Sequence, residues 1–226
     1  MKKELNMKNR ENEENGVILG LDVSTKTIGV ALFEDMGGRG ELSVLTHITP
    51  KVKPVPESKI EELFKKVEVF EEFLKKHRDT GITKVIIEEP LLRSNNVYTV
   101  ATLLRFNGMV SRSVYDILGV VPDFISSYDA RAFGFPELMQ KRTHKKDGTP
   151  HTEAAIKKAK PVLFGGLGYG IDKKSIIWEM VSELEPQIEW LYTKVNSLKK
   201  ENYDMCDAYT CVLGQMHKGR KWCPKT

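Results

Sequence analysis

Val17-Ile18-Leu19-Gly20-Leu21-Asp22-Val23-Ser24, followed by Thr27-Ile28-Gly29-Val30-Ala31-Leu32-Phe33, is the stretch on which the fold turns. Each half is a short apolar run bounded by polar residues, the pattern of a strand buried on both faces. Only a tight turn of chain separates the two. Glu41 to Thr49, with Leu42, Val44, Leu45 and Ile48, predicts a third strand. Consecutive strands with short connections predict an antiparallel meander. Asp22 is out of place, because it sets a carboxylate at the end of an otherwise apolar strand.

Beyond the meander lies a linker with Pro50, Pro54 and Pro56. Ser58-x-x-Glu61 then offers a capping box. Ile60, Leu63, Phe64, Val67, Phe70, Phe73 and Leu74 follow at helical spacing, Lys75-Lys76-His77-Arg78 suit a helix C-terminus, and Gly81 ends the helix. Lys84 to Pro90 predicts a fourth strand that runs directly into Glu88 and Glu89. Asn95-Asn96 caps a long helix, Val97 to Leu118, closed by Gly119. Asp123 to Ser127 predicts a fifth strand, and two more helices span about 173–184 and 202–217. The order β-β-β-α-β-α-β-α-α predicts an α/β fold. Its mixed five-stranded sheet has three antiparallel strands extended by two parallel ones, flanked by helices.

Composition narrows the function. The chain has 226 residues, 40% hydrophobic and 29% charged, enough for one ample core. No apolar run reaches the ~18 residues of a bilayer span, so no membrane role is expected. Met1 to Asn15 carries four glutamates and no apolar core, which fits a disordered charged tail and neither a signal nor a transit peptide. Three cysteines build no disulfide framework, and their odd number points to a reducing compartment, the cytoplasm. Cys206, Cys211, His217 and Cys223 match no common zinc finger, and core or surface thiols account for them better. The net charge is only +4, but Pro136 to Lys174 holds nine basic residues against four acids. A basic stretch on a near-neutral body suits a polyanion partner, or else a solvated loop. His144 and His151 lie within it.

Three acidic sites stand where carboxylates are least expected: Asp22, the Glu88-Glu89 pair, and Asp204 with Asp207 at i and i+3 on the last helix. A right-handed crossover would place the fourth strand parallel to the first and beside it. Both acidic ends would then share one sheet edge, with the last helix laid across. Carboxylates so packed repel one another unless a cation compensates. All-oxygen ligation suits Mg²⁺ or Mn²⁺. Two such ions can activate a water and stabilise the leaving oxygen of a phosphodiester. Taken alone, Asp204 and Asp207 also fit an ordinary acidic first helical turn.

The same residues resemble a known family. Ile18 to Ser24 with Thr27-Ile28-Gly29 looks like the opening of RuvC-type Holliday-junction resolvases, of the RNase H-like (retroviral-integrase) superfamily. Val85-Ile86-Ile87-Glu88-Glu89 resembles the second acidic motif, and Asp204-Met205-Cys206-Asp207-Ala208 the closing helix. Asn96 with Leu103-Leu104 and Gly108 is similar to the intervening helix. Gly168-Tyr169-Gly170 with Lys174 and Val181 is similar to the stretch before the last helix.

The resemblance implies an RNase H-like fold and a Mg²⁺-dependent endodeoxyribonuclease, with Mn²⁺ able to substitute and two ions per site. It would act as a homodimer on branched DNA, four-way junctions above all. Asp22, Glu88, Asp204 and Asp207 would be the catalytic metal ligands, with Glu89 held in reserve because the doubled glutamate is ambiguous. Strand alternation from Ile86 favours Glu88. Lys174 would meet a phosphate, and Lys141, Arg142, Lys145 and Lys146 of the basic segment would bind DNA. One nuclease domain, 16–217, would carry a basic insertion at about 134–167, between tails at 1–15 and 218–226. The helix Val97 to Leu118 is a candidate dimer interface.

Two other readings stay open. Gly20 to Thr27 also resembles the first phosphate loop of actin-like ATPases and sugar kinases, which would make the chain an ATP-binding protein. The same scaffold could also serve as a DNA-binding module without catalysis.

Overall fold

The computed structural model describes residues 16–36, 40–91 and 96–218. The tails expected at 1–15 and 218–226 fall outside these residues, save for position 218, and so do Asn95 and Cys223. A mixed sheet of five strands runs in the order β3-β2-β1-β4-β5, with β1 Val17–Val23, β2 Ile28–Asp35, β3 Gly40–Ile48, β4 Ile82–Glu88 and β5 Asp123–Ile125. β1 pairs antiparallel with β2 and parallel with β4, while β2–β3 is antiparallel and β4–β5 parallel. This is the expected mixed arrangement, three antiparallel strands extended by two parallel ones.

Alternation along β1 sorts the two faces. Leu19, Leu21 and Val23 join one core with helix α1 (Lys59–His77) and helix α2 (Val97–Leu118), through Leu63, Val67, Phe70, Phe106 and Val110. Ile18 joins the other core, with Ala31, Phe33 and Ile86, under Cys206, Ala208, Tyr209 and Val212 of the last helix. Both helices of the first layer carry the caps read from sequence. The Ser58 hydroxyl accepts from Glu61 N–H at 3.5 Å. Asn96 Oδ1 accepts from Tyr98 and Thr99 N–H at 3.0 and 3.3 Å, and Gly119 closes α2 at φ 71°. Ile60 and Phe64, part of the apolar stripe of α1, are exposed instead of buried. Among the described residues no helix is long and apolar enough to cross a membrane.

The structure corrects the second half of the chain. The fifth strand stops at Ile125 rather than reaching Ser127, because Ser126 turns the chain into helix α3 (Ser127–Gly134). Its hydroxyl accepts from Asp129 N–H at 3.0 Å. The basic segment holds short elements that periodicity cannot report: β6 Met139–Gln140 pairs with β7 Val162–Leu163, and helix α4 spans only Glu153–Lys158. Helix α5 (Lys173–Leu184), capped by Asp172, and helix α6 (Glu201–His217) follow.

Candidate metal centre

The C-terminal edge of β1 and β4 gathers the acids. In the parallel pairing Leu21 is level with Ile87, so Asp22 and Glu88 emerge side by side. Both continue the face of Ile18 and Ile86, which α6 covers. Asp22 lies one residue inside the strand rather than ending it, since Val23 still pairs with Ile28. Helix α6 reaches this edge because glycines let it sit directly on the sheet. A Cβ at Gly29, the cross-strand partner of Asp22, would overlap the Asp204 carbonyl, and one at Gly20 would overlap that of Ala208. On the other face the buried Asn107 amide of α2 donates to the Val23 carbonyl at 3.3 Å and fixes the end of β1. The β1–β2 turn is closed by Ser24, whose hydroxyl donates to the Thr27 carbonyl at 2.8 Å.

One carboxylate oxygen each from Asp22, Glu88 and Asp207 lies within 4.8 Å of the other two. Asp204 lies beside this trio, with Oδ1 3.8 Å from Lys174 Nζ. Lys174 Nζ is also 3.1 Å from Asp207 Oδ2. The other oxygen of Asp207 accepts from Arg131 Nη2 at 2.8 Å. Both oxygens of one buried acid are thus engaged by cations. Glu89 lines the surrounding cleft of about 500 Å³, and its backbone N–H donates to the Ile125 carbonyl. Strand alternation selects Glu88 for the cluster and leaves Glu89 at its rim.

Electrostatics show the strain of the arrangement. Burial, then Glu88, Asp207 and Asp204, push Asp22 well above the usual carboxylate range, with Lys174 opposing. Burial and Asp207 raise Glu88 to about 8 against Arg131 and Lys174. Burial raises Asp204 to about 6, with Asp207 and Glu201 adding to it and Lys174 opposing. Burial disfavours the charge of Arg131, yet Asp207 and Glu88 hold its guanidinium firmly protonated. Beneath the cluster, Cys206 and Cys211 are buried free thiols, pushed up first by burial, and belong to the core.

Four carboxylates against two cations leave an excess of two negative charges when all ionise. The bare cluster relieves this by keeping protons, and a divalent cation would relieve it without them. The donor set fits such an ion. Oxygens around an octahedral Mg²⁺ at ~2.1 Å lie ~3–4 Å apart, so a spread of 4.8 Å needs only a small contraction.

Arg131 is the site residue that the sequence reading misses. The pattern Ser126-x-x-Asp129 is a signal for its helix, but nothing in it names Asp207 as its partner. The residues assigned to DNA behave differently. Lys141 donates to the Lys157 carbonyl at 2.7 Å, and the Arg142 guanidinium stacks 4.7 Å from the Tyr169 ring centroid. Lys145 and Lys146 are exposed in the loop between His144 and Pro150. None of these four lines the cleft, which Lys173 and Lys174 do.

No family model matches the sequence, and no curated protein does. Solved structures resemble the fold. Thermus thermophilus RuvC in complex with a Holliday junction substrate is 11% identical, over 88% of this chain and 93% of its own, with a TM-score of 0.48. A second structure of Thermus thermophilus RuvC is 13% identical over 88% and 92%, with a TM-score of 0.45. An Aquifex aeolicus PPX-GPPA enzyme is 12% identical over 54% and 41%, with a TM-score of 0.34.

Proposed function

We propose that this chain is a metal-dependent, structure-selective DNA endonuclease of RuvC type, cutting four-way junctions or related branches by paired hydrolysis of equivalent strands. The observation that carries this reading is the cluster of Asp22, Glu88 and Asp207, the first two half-buried and the third buried, at the floor of an open cleft. Burying like charges is costly, and a metal-dependent active site gives that cost a purpose. The ATP-binding reading leaves the two acids of α6 without work, and a non-catalytic module leaves the whole cluster unexplained.

Asp22, Glu88, Asp204 and Asp207 would hold Mg²⁺, or Mn²⁺ in its place, at two ions per site. Ions held there supply an activated water and charge stabilisation at the leaving oxygen. Arg131, nearly buried, keeps Asp207 oriented. Lys174 has a half-exposed side chain and can turn from Asp207 to a phosphate oxygen of the substrate. Lys141, Arg142, Lys145 and Lys146 would add phosphate contacts away from the cleft. Two symmetric cuts call for a homodimer. The exposed Phe64 of α1 and Leu104 and Tyr115 of α2 support an interface on that layer.

A synthetic four-way junction tests the proposal. Paired nicks in opposing strands should appear with Mg²⁺ and vanish with a chelator. Unlabelled linear duplex should compete poorly for binding. Competition by duplex or RNA–DNA hybrid as strong as by junction would remove the junction specificity. No cleavage of any DNA with Mg²⁺ or Mn²⁺ would remove the nuclease.

A further inference from the structure

Beside the metal centre lies a second cavity, of about 390 Å³, that shares the walls Ser24 and Leu103 with the catalytic cleft. Its remaining lining comes from the β1–β2 turn (Thr25, Lys26) and from the first turns of α1 (Lys59) and α2 (Tyr98, Thr99, Thr102). The nuclease reading so far gives these residues no role. We infer that this cavity is a nucleotide subsite, which holds the nucleotide next to the scissile phosphate, with Lys26 and Lys59 on its phosphate and the Tyr98 ring against its base. The inference rests on the nuclease reading for the identity of the strand.

Three observations converge on it. The first is charge. Lys26 is exposed at the turn, and Glu62 is shared between Lys59, at 2.6 Å, and Lys66, at 2.7 Å. Three lysines thus stand against one carboxylate, and the surplus is positive. The second is rigidity. Lys66 also donates to the Thr25 carbonyl at 3.0 Å, so the turn is tied to α1 and its wall is preformed. The third is Tyr98, a residue 86% exposed at the rim. An open aromatic face flanked by lysines and hydroxyls suits one nucleotide: the ring takes a base by stacking, and the cations take the phosphate.

The position gives this site its direction. Lys174 belongs to the layer of α5 and α6, whereas Lys59 and Tyr98 belong to the layer of α1 and α2. The cleft crosses the sheet edge between the two layers. A strand whose phosphate lies at the carboxylates and Lys174 therefore leaves over Ser24 and Leu103 into the second cavity.

Equilibrium binding with metal chelated, so that nothing is cut, tests the subsite on two probes: a short labelled single-stranded oligothymidylate and a four-way junction. Tyr98→Ala should weaken single-strand binding by about 5- to 150-fold, the range covered by one base–aromatic stack. Tyr98→Phe should restore it, and melting curves should match wild type. Lys26→Gln with Lys59→Gln should lower the single-strand salt slope by about 0.7 for every phosphate no longer neutralised. If Tyr98→Ala binds both DNAs as wild type does, the subsite is overturned, and wild-type junction cleavage still upholds the nuclease. If wild type cleaves no branched DNA, the nuclease reading falls and the single-strand titration decides alone: loss in Tyr98→Ala sustains a nucleotide site, while equal binding, or no binding by wild type, overturns it.

Discussion

The sheet edge at Asp22 and Glu88 and the basic segment around β6 and β7 are both dense in charge, yet they inform very differently. At the sheet edge Asp207 is buried and Asp22, Glu88 and Asp204 are half-buried, and the acids crowd one another and the cations Arg131 and Lys174. Their placement costs free energy that a soluble surface would not. In the basic segment Lys141 and Arg142 have neighbours of their own, while Lys145 and Lys146 sit in water. Charge in water costs little and therefore points to little. A charged residue speaks about function in proportion to what its position costs the fold.

The largest expected effect breaks the sheet-edge side directly. Asp22→Asn should reduce junction cleavage by on the order of 10³ or more, as loss of several kcal/mol of metal-held stabilisation does. Folding and metal-free junction binding should persist, because mutual repulsion falls. Single-turnover cleavage alongside thermal melting checks this, and wild-type activity in the variant would remove the cluster from the chemistry.

Next comes the seating of α6. Gly29→Ala puts a methyl into the Asp204 carbonyl, so the helix must lift. Overpacking of this kind costs about 1–3 kcal/mol, and a displacement of ~1 Å at the acids costs ~10²-fold in rate. Urea unfolding and cleavage should both show the loss, and a variant equal to wild type in both would mean that α6 does not rest on β2.

A smaller, graded effect comes from protons. In the metal-free fold Glu88 sits at about 8 against an ordinary 4.5, and Asp204 at about 6 against 3.8. The folded state therefore keeps protons that the unfolded chain releases. Their contribution to stability is complete below the ordinary values and is lost as pH rises through about 6 and then about 8. The metal-free melting temperature should fall between about pH 5 and about pH 8, while the increment from Mg²⁺ should grow over the same range. Melting curves with Mg²⁺ or chelator, across pH, measure it, and an increment that stays flat with pH would count against metal at these acids.

Per residue, the smallest effects belong to the basic segment. Exchanging Lys141, Arg142, Lys145 and Lys146 for glutamate should lower the slope of log K against log salt by about 0.9 for each phosphate that the protein ceases to neutralise. Stability should move by less than ~0.5 kcal/mol for an exposed position. Most of the slope change should come from Lys145 and Lys146, since the other two are partly engaged by Lys157 and Tyr169. An unchanged slope would make the segment a solvated surface, and the contrast between the two regions would be complete.

Much of this protein was determined by its sequence alone. Buried strands declared themselves at Val17 to Asp22, Thr27 to Phe33 and Lys84 to Pro90, within a few residues of the observed Val17–Val23, Ile28–Asp35 and Ile82–Glu88, and α2 ran between the residues its caps named, Asn96 and Gly119. Strand alternation also put Glu88 rather than Glu89 on the face of Asp22. These readings work because hydrophobic periodicity is a one-dimensional record of burial. Helix α3 and the β6–β7 ribbon were too short to leave such a record. Tertiary structure alone decided who meets whom: Arg131 and Lys174 on the two oxygens of Asp207, Gly29 beneath Asp204, and a lysine-lined cavity opening beside the acids. A pairing of side chains depends on how two distant elements pack against each other, and neither element's own sequence carries that distance.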